Sequence, residues 1–193
     1  MCIRDRFISI NNLECGGAQK SLVSLLNCLK ISNGMDIDLL ILDVSDLFFK
    51  DIPDWIHILQ APDEVKAMFM PIKKLICSEL PIMVKMKGII AKLLMKAIDT
   101  GEANTVQRVW RAWKIFIPAQ KKEYDLAVSY VDGFSNYLVI DKVTAFRKIL
   151  WVHNEYEKLS YKKNFDIPYF KKANTIVTIS ELCIQLSLIH ISE

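Results

Sequence analysis

Short apolar runs alternate along this chain with stretches whose apolar residues recur at three- and four-residue spacing. The first run, Phe7-Ile8-Ser9-Ile10, predicts a buried strand. Gly16-Gly17 then supplies a turn, and Leu22, Leu25, Leu26 and Leu29 mark one face of a helix that Asn33-Gly34 ends. Ile37 to Val44 predicts a second strand, mostly buried on both faces, and Trp55 to Leu59 a short third one. From Pro62 to Pro118 the pattern is helical, punctuated by Pro71 and Pro81. Strands return at Asp125–Tyr130, Lys148–Val152 and Thr175–Ile179, with helical segments between them. Ser180, before Glu181, would cap a further helix. This alternation predicts an α/β fold: a doubly wound parallel sheet flanked by helices, with a helical insertion after the third strand. Ligands of such sheets bind beyond the carboxyl ends of the strands. Attention therefore falls on Asn11–Lys20, Val131–Phe134, His153–Glu155 and Ser180.

Composition narrows the class. With 193 residues, 52% of them hydrophobic and 24% charged, the chain can bury one sizeable core and is not a disordered polymer. The net charge of +3 is too small to argue for nucleic acid as a partner. Cys2, Cys15, Cys28, Cys77 and Cys183 are odd in number, scattered, and without a CxxC or Cys/His cluster. Neither a disulfide framework nor a zinc site is indicated, and a reducing cytoplasm fits. No apolar run approaches a membrane span, and the start lacks the apolar core of a signal peptide. The extreme ends, residues 1–6 and 187–193, resemble translated sequencing-adapter DNA, so the expected biological segment is 7–186.

Several constellations carry candidate chemistry, each with a plainer reading. Gly16 and Gly17 between a strand and a helix would let backbone N–H groups approach an anion, or form an ordinary turn. The GxGxxG dinucleotide fingerprint is absent. His153, beside Asn154 and Glu155 after a strand, would point into a cleft and hydrogen-bond a sugar hydroxyl or phosphate, or be a loop histidine without a role. Asp132, in Val131-Asp132-Gly133-Phe134, would orient an acceptor hydroxyl or cap the next helix, the cap being the simpler reading. Asp36-Ile37-Asp38 has the DxD form of metal-dependent sugar transferases but stands at the wrong end of its strand, so no metal site is expected. Cys15 with His153 would be the pair for a cysteine nucleophile, with strand-end placement its only support. In Pro81–Ile98, Lys85, Lys92 and Lys96 share one helical stripe, and Ile82, Met86, Ile90, Leu93 and Ala97 lie on the other side. Such a helix can sit on anionic lipid; the simpler expectation is an apolar face packed on the domain beneath solvated lysines. Val106, Trp110, Trp113 and Ile117 form a stripe expected in the core rather than a sugar-stacking platform.

In their order, these pieces resemble a known family. A strand followed by Gly16-Gly17-Ala18-Gln19-Lys20 and Leu22-Val23-Ser24-Leu25-Leu26 is similar to the start of family 4 glycosyltransferases of the GT-B fold. Tyr124–Tyr130, Lys148–Asn154 and Ile176–Ser180 follow in the family's order, so the resemblance covers about residues 7–186. It implies the N-terminal, acceptor-side Rossmann-like domain of an enzyme with two such domains facing a cleft. The implied reaction is a retaining transfer of sugar from a nucleotide-diphosphate donor to an acceptor hydroxyl, without metal or other cofactor. Carried over by position, Gly16 and Gly17 would lie near the donor phosphates and the acceptor. His153, with Asn154, would reach the donor sugar; Asp132, Gly133 and Phe134 would line the acceptor side, and Ser180 would sit at the last strand end.

Two departures qualify that picture. Gln19-Lys20 stands where the family more often has Glu-Arg. The family's C-terminal domain, with its Glu-x7-Glu motif, has no counterpart, so the chain is expected not to turn over alone. The expected partners are a nucleotide sugar, a glycan or lipid-linked acceptor of cell-envelope synthesis, and an anionic surface at the cytoplasmic face of the membrane. The alternative from a different class is a non-catalytic Rossmann-like module that binds an acceptor or a membrane surface.

Overall fold

A computed structural model describes residues 4–13, 16–29, 35–43, 49–98, 104–153 and 160–178. Its six strands are β1 (Arg4–Ile10), β2 (Met35–Ile41), β3 (His57–Leu59), β4 (Glu123–Ser129), β5 (Thr144–Val152) and β6 (Thr175–Thr178). They form one sheet in the order β3-β2-β1-β4-β5-β6, every pair parallel. This is the doubly wound, Rossmann-like arrangement that the alternation of elements predicts. The strand order reverses between β1 and β4, so their carboxyl ends, Ile10 and Ser129, flank the switch point. β1 opens at Arg4, three residues before the predicted start, and Asp5 accepts an ion pair from Lys122 (2.7 Å). Residues 187–193 lie outside the described residues.

Alternation along the strands builds a core on each face of the sheet. Ile8, Ile10, Ile37, Leu39 and Ile41 face one way, where Leu22 and Leu26 of α1 (Gly17–Leu29) cover them. Leu25, expected on that inner face, is turned outward, and Val23 is buried instead. Phe7, Leu40, Ala127 and Leu150 face the other way. There they meet helices that follow the third strand, α2 (Asp63–Phe69), α3 (Ile72–Cys77), α4 (Ile82–Ala97) and α5 (Thr105–Trp113). Helices α6 (Phe134–Lys142) and α7 (Lys163–Phe170) complete that layer. Trp110, Trp113 and Ile117 are buried in it, as their spacing predicts.

Three prolines set the helical insertion. Pro62, Pro71 and Pro81 occupy the N-cap positions of α2, α3 and α4, and their carbonyls accept from Val65, Leu75 and Val84. A proline N-cap lacks an N–H, and it steers the residue before it out of the helical region. The insertion is therefore cut into separate helices at those points.

Helix α4 reverses the expected arrangement. It packs on the domain through Val84, Gly88 and Ala91, a narrow face of small side chains. A Cβ on Gly88 would stand 2.7 Å from Leu75 Cδ2 and 3.4 Å from Trp113 Cη2, so the helix sits close against α3 and α5. Its larger apolar residues, Ile82, Met83, Met86, Ile90, Leu93 and Leu94, are exposed. Two lysines of the supposed solvent stripe turn inward instead. Lys92 Nζ donates to the Met68 carbonyl (3.2 Å) and lies 5.6 Å over the Trp113 ring, while Lys85 Nζ donates to the Ile76 carbonyl (3.0 Å). No helix among the described residues is long and apolar enough to cross a membrane.

Candidate functional site

The switch point is lined by residues that leave the carboxyl ends of β1 and β4. Asn11 and Asn12 continue from β1, and Tyr130 to Phe134 continue from β4 into α6. A cleft of about 220 Å³ opens there between Asn11, Asn12, Asp43, Phe69, Thr105, Val106, Asp132, Phe134 and Tyr161. Its walls are mostly apolar, and its polar groups come from several segments, the usual composition of a small-molecule site. A larger hollow of about 860 Å³ is lined by residues of the helical layer and the segment before α7, among them Arg111, Lys114, Asp141 and Lys172, with none from a strand end. Asp141 in that hollow is already taken by Trp110 Nε1 and the Tyr169 hydroxyl, each at 3.2 Å. The strand-end cleft is therefore the better candidate.

Gly133 determines how the chain turns from β4 into α6. It is the N-cap of α6 with φ +84°, and its carbonyl accepts from Asn136 (3.1 Å) and Tyr137 (3.3 Å). An added Cβ would meet the Tyr161 hydroxyl at 2.7 Å. Glycine alone satisfies both the backbone conformation and the contact. Because Gly133 holds the N-cap position, Asp132 does not, and the simpler reading of Asp132 as the cap is corrected. Asp132 lines the cleft one residue earlier. Phe134 is buried, with its ring edge-on to Trp110 at 5.0 Å, so it borders the cleft as part of the core. Tyr161 is pushed above the ordinary phenol range by burial, and the charges of Asp132 and Asp166 add to the shift, so it stays a neutral hydroxyl.

Beneath the cleft, Asp166 is a buried carboxylate that accepts from Tyr137 Oη (2.6 Å) and Gln107 Nε2 (2.9 Å). Gln107 Oε1 in turn accepts from the backbone N–H groups of Asn104 and Lys162. These bonds tie α5, α6 and α7 together where Tyr161 enters the site. Burial, with the Asp166 charge next, drives the Tyr137 phenol far above its ordinary range, so it remains a donor.

His153 leaves the end of β5 on the α1 side of the sheet. Its ring stacks on Trp151 (5.3 Å, 15°) and lies 5.6 Å from Tyr130, while Tyr130 and Trp151 stack at 5.0 Å. Tyr130 Oη shares a hydrogen bond with Ser21 Oγ of α1 (2.8 Å). Two aromatic side chains, Tyr130 and Trp151, thus hold the imidazole at the carboxyl edge. His153 Nε2 and Asn11 Oδ1 are both buried without a hydrogen-bond partner. Buried polar atoms are nearly always satisfied, so such orphans at the ligand edge are sites where a bound hydroxyl or water would bond.

Of the other predicted residues, Gly16 and Gly17 stand at the start of α1, and neither has positive φ. A Cβ at Gly17 would meet nothing within 4 Å, so internal packing does not require that glycine. Gln19 Nε2 donates to Asn12 Oδ1 (3.1 Å) and so braces one wall of the cleft. Cys15, Asn154 and Ser180 lie outside the described residues. Asp38 of the DxD is at the opposite, amino side of the sheet. It accepts from His57 Nδ1 (2.7 Å), Tyr124 Oη (2.8 Å) and Lys122 Nζ (3.2 Å), a set of partners that accounts for its burial.

The structure thus brings Asp132, Gly133 and Phe134 together with Asn11 and Asn12, and sets His153 at the neighbouring strand end. Sequence reasoning missed Tyr130 and Trp151 as site rings, and Asp43, Phe69 and Tyr161 as cleft walls. Trp151 had a usable signal, since it stands two residues before His153 at a strand end, a spacing that puts the two side chains on one face. Comparison with known proteins adds no family: no family model matches the chain, and no curated protein is significantly similar to it.

Proposed function

We propose that this chain is the acceptor-side domain of a retaining, GT-B-type glycosyltransferase, which moves sugar from a nucleotide-diphosphate donor to an acceptor hydroxyl. The observation that carries the reading is that Asn11 Oδ1 and His153 Nε2, two of the buried side-chain atoms left without a hydrogen-bond partner, stand at the carboxyl edge of a 3-2-1-4-5-6 sheet. Both are suited to sugar hydroxyls, which donate and accept. The acceptor lies in the cleft of Asn12, Asp132 and Phe134, where Asp132 orients its hydroxyl. His153 faces the donor sugar, and the open N-terminus of α1 beside Gly17 leaves room for the donor phosphates.

In the reaction, the bond from the anomeric carbon to the diphosphate oxygen breaks, a bond to the acceptor oxygen forms, and the proton of the acceptor hydroxyl passes to the departing diphosphate. Most stabilisation of the departing diphosphate belongs to a second domain, so the 193-residue chain alone does not turn over. The acceptor class is a cell-envelope glycan or a lipid-linked sugar, handled at the cytoplasmic face of the membrane. The test is transfer of radiolabelled sugar from UDP-, GDP- and ADP-sugars to membrane acceptors, by the chain joined to its downstream coding sequence. Transfer that depends on His153 supports the proposal. Transfer by the 193-residue chain alone, or no second α/β domain downstream, contradicts it.

A further inference from the structure

We propose that the outward face of α4, with the neighbouring α3, docks on an anionic lipid bilayer. Six large apolar residues of α4 are exposed, Ile82 at 75% and Leu93 at 58%. At about 100° per residue, Ile82, Met83, Met86, Ile90, Leu93 and Leu94 fall within an arc of about 120°. The domain takes the separate face of Val84, Gly88 and Ala91, so the apolar arc is left over from folding rather than part of the core. Ile72 and Ile76 of α3 extend the exposed surface. An apolar patch of this kind on a folded domain marks a contact with another phase or partner.

Charge selects the bilayer. From Phe69 to Ile98 the chain has six lysines against one acidic residue, Glu79. That segment is therefore at +5 within a chain of formal charge +3, and everything else nets to −2. Lys73, Lys74 and Lys96 are exposed around the apolar arc. An amphipathic helix with lysines beside a large apolar face lies in the interface of anionic lipid, with its apolar side among the acyl chains. A second copy of the chain fits less well, because a two-fold pairing through α4 would bring lysines against lysines without acidic partners. Phe69, half exposed at the end of α2, also lines the strand-end cleft. Docking by α4 therefore brings the cleft to the lipid headgroups, which deepens the proposed function by selecting a lipid-linked acceptor.

The docking itself does not rest on sugar transfer, and its test uses no donor or acceptor. The full 193-residue chain is sedimented with vesicles of phosphatidylcholine alone and with 30% phosphatidylglycerol, at low and at 0.5 M salt. The expected result is binding to the anionic vesicles only, weakened by salt. The triple variant Met86→Ser, Ile90→Ser, Leu93→Ser abolishes binding while circular dichroism and thermal unfolding stay unchanged, since all three sites are on the surface. The variant Lys73→Gln, Lys74→Gln, Lys96→Gln weakens binding roughly fivefold per lysine, the equivalent of about 1 kcal/mol each. Absence of binding, equal binding to neutral vesicles, or a dimer dissolved by the serine variant overturns the proposal. A failure here with transfer intact removes the docking and leaves the glycosyltransferase reading.

Discussion

Trp151 of β5 and His153, the first residue beyond that strand, stack with ring centroids 5.3 Å apart and only 15° between planes. Tyr130 closes the group from β4, anchored to α1 by its bond to Ser21. The imidazole is thereby held in place while Nε2 has no partner of its own. His153→Ala is expected to lower kcat/KM for sugar transfer about a hundredfold in a protein carrying both domains. The folded state loses only the ring contacts, about 1 kcal/mol. Kinetics and urea unfolding of the variant check the two parts separately, and unchanged turnover removes His153 from the site.

Gly133 carries the turn that sets Asp132 in the cleft. Gly133→Ala combines a strained φ of +84° with a Cβ 2.7 Å from the Tyr161 hydroxyl. The expected cost is about 2 kcal/mol, seen as a fall of several degrees in Tm. Weaker ligand binding at the cleft is expected with it, because Tyr161 must move. A variant as stable as the parent shows that the turn relaxes freely and contradicts this reading.

Asp166 is held by Tyr137 and Gln107 in the buried layer below the site. Tyr137→Phe keeps the ring packing and removes the 2.6 Å bond to the carboxylate. A loss of about 2 kcal/mol is expected, because a charged acceptor is left short of a donor. Denaturant unfolding at pH 7 measures it, and a neutral result shows that the partners remaining to Asp166 satisfy it without Tyr137.

Toward the amino ends of the strands, burial raises the Asp38 carboxyl, but hydrogen bonds from His57, Tyr124 and Lys122, with the Lys122 charge, outweigh it and hold it below the ordinary range. A carboxyl lowered on folding stabilises the protein above about pH 4 and ceases to do so as pH falls through its folded value. Asp38→Asn is therefore less stable than the parent at pH 7, by about 1–3 kcal/mol. The gap closes as pH is lowered below about 4. Unfolding curves from pH 7 to pH 2 follow it, and a gap that stays constant contradicts the charge assignment.

Much of the fold was legible because its strands are short apolar runs between clear helical patterns. Each of the six predicted strands overlaps an observed one, with ends displaced by a few residues. The orientation of α4 was not legible from amphipathicity alone. Periodicity separates the Lys85–Lys92–Lys96 stripe from the Ile82–Met86–Ile90 stripe, yet it does not say which face the domain will take. Gly88 and Ala91 held the signal: small residues let the helix approach Leu75 and Trp113 closely, and that close approach decided the packed face. Within the site, strand-end placement located Asp132, Gly133 and His153. The Tyr130–Trp151–His153 stack needed the pairing of β4 with β5, in which Ser129 lies beside Leu150. The walls given by Phe69 and Tyr161 depend on how distant segments fold back over the cleft, which local pattern does not encode.

The central claim is that sugar ligands bind at the carboxyl edge between β1, β4 and β5. Two-dimensional amide NMR of the labelled 193-residue chain, titrated with UDP-, GDP- and ADP-sugars at millimolar concentration, tests it directly. The account predicts that at least one donor shifts the amides of Asn11, Gly17 and His153 together, and that His153→Ala removes the response. Shifts confined to the basic hollow around Arg111 and Lys172, or no shift with any donor, would contradict it.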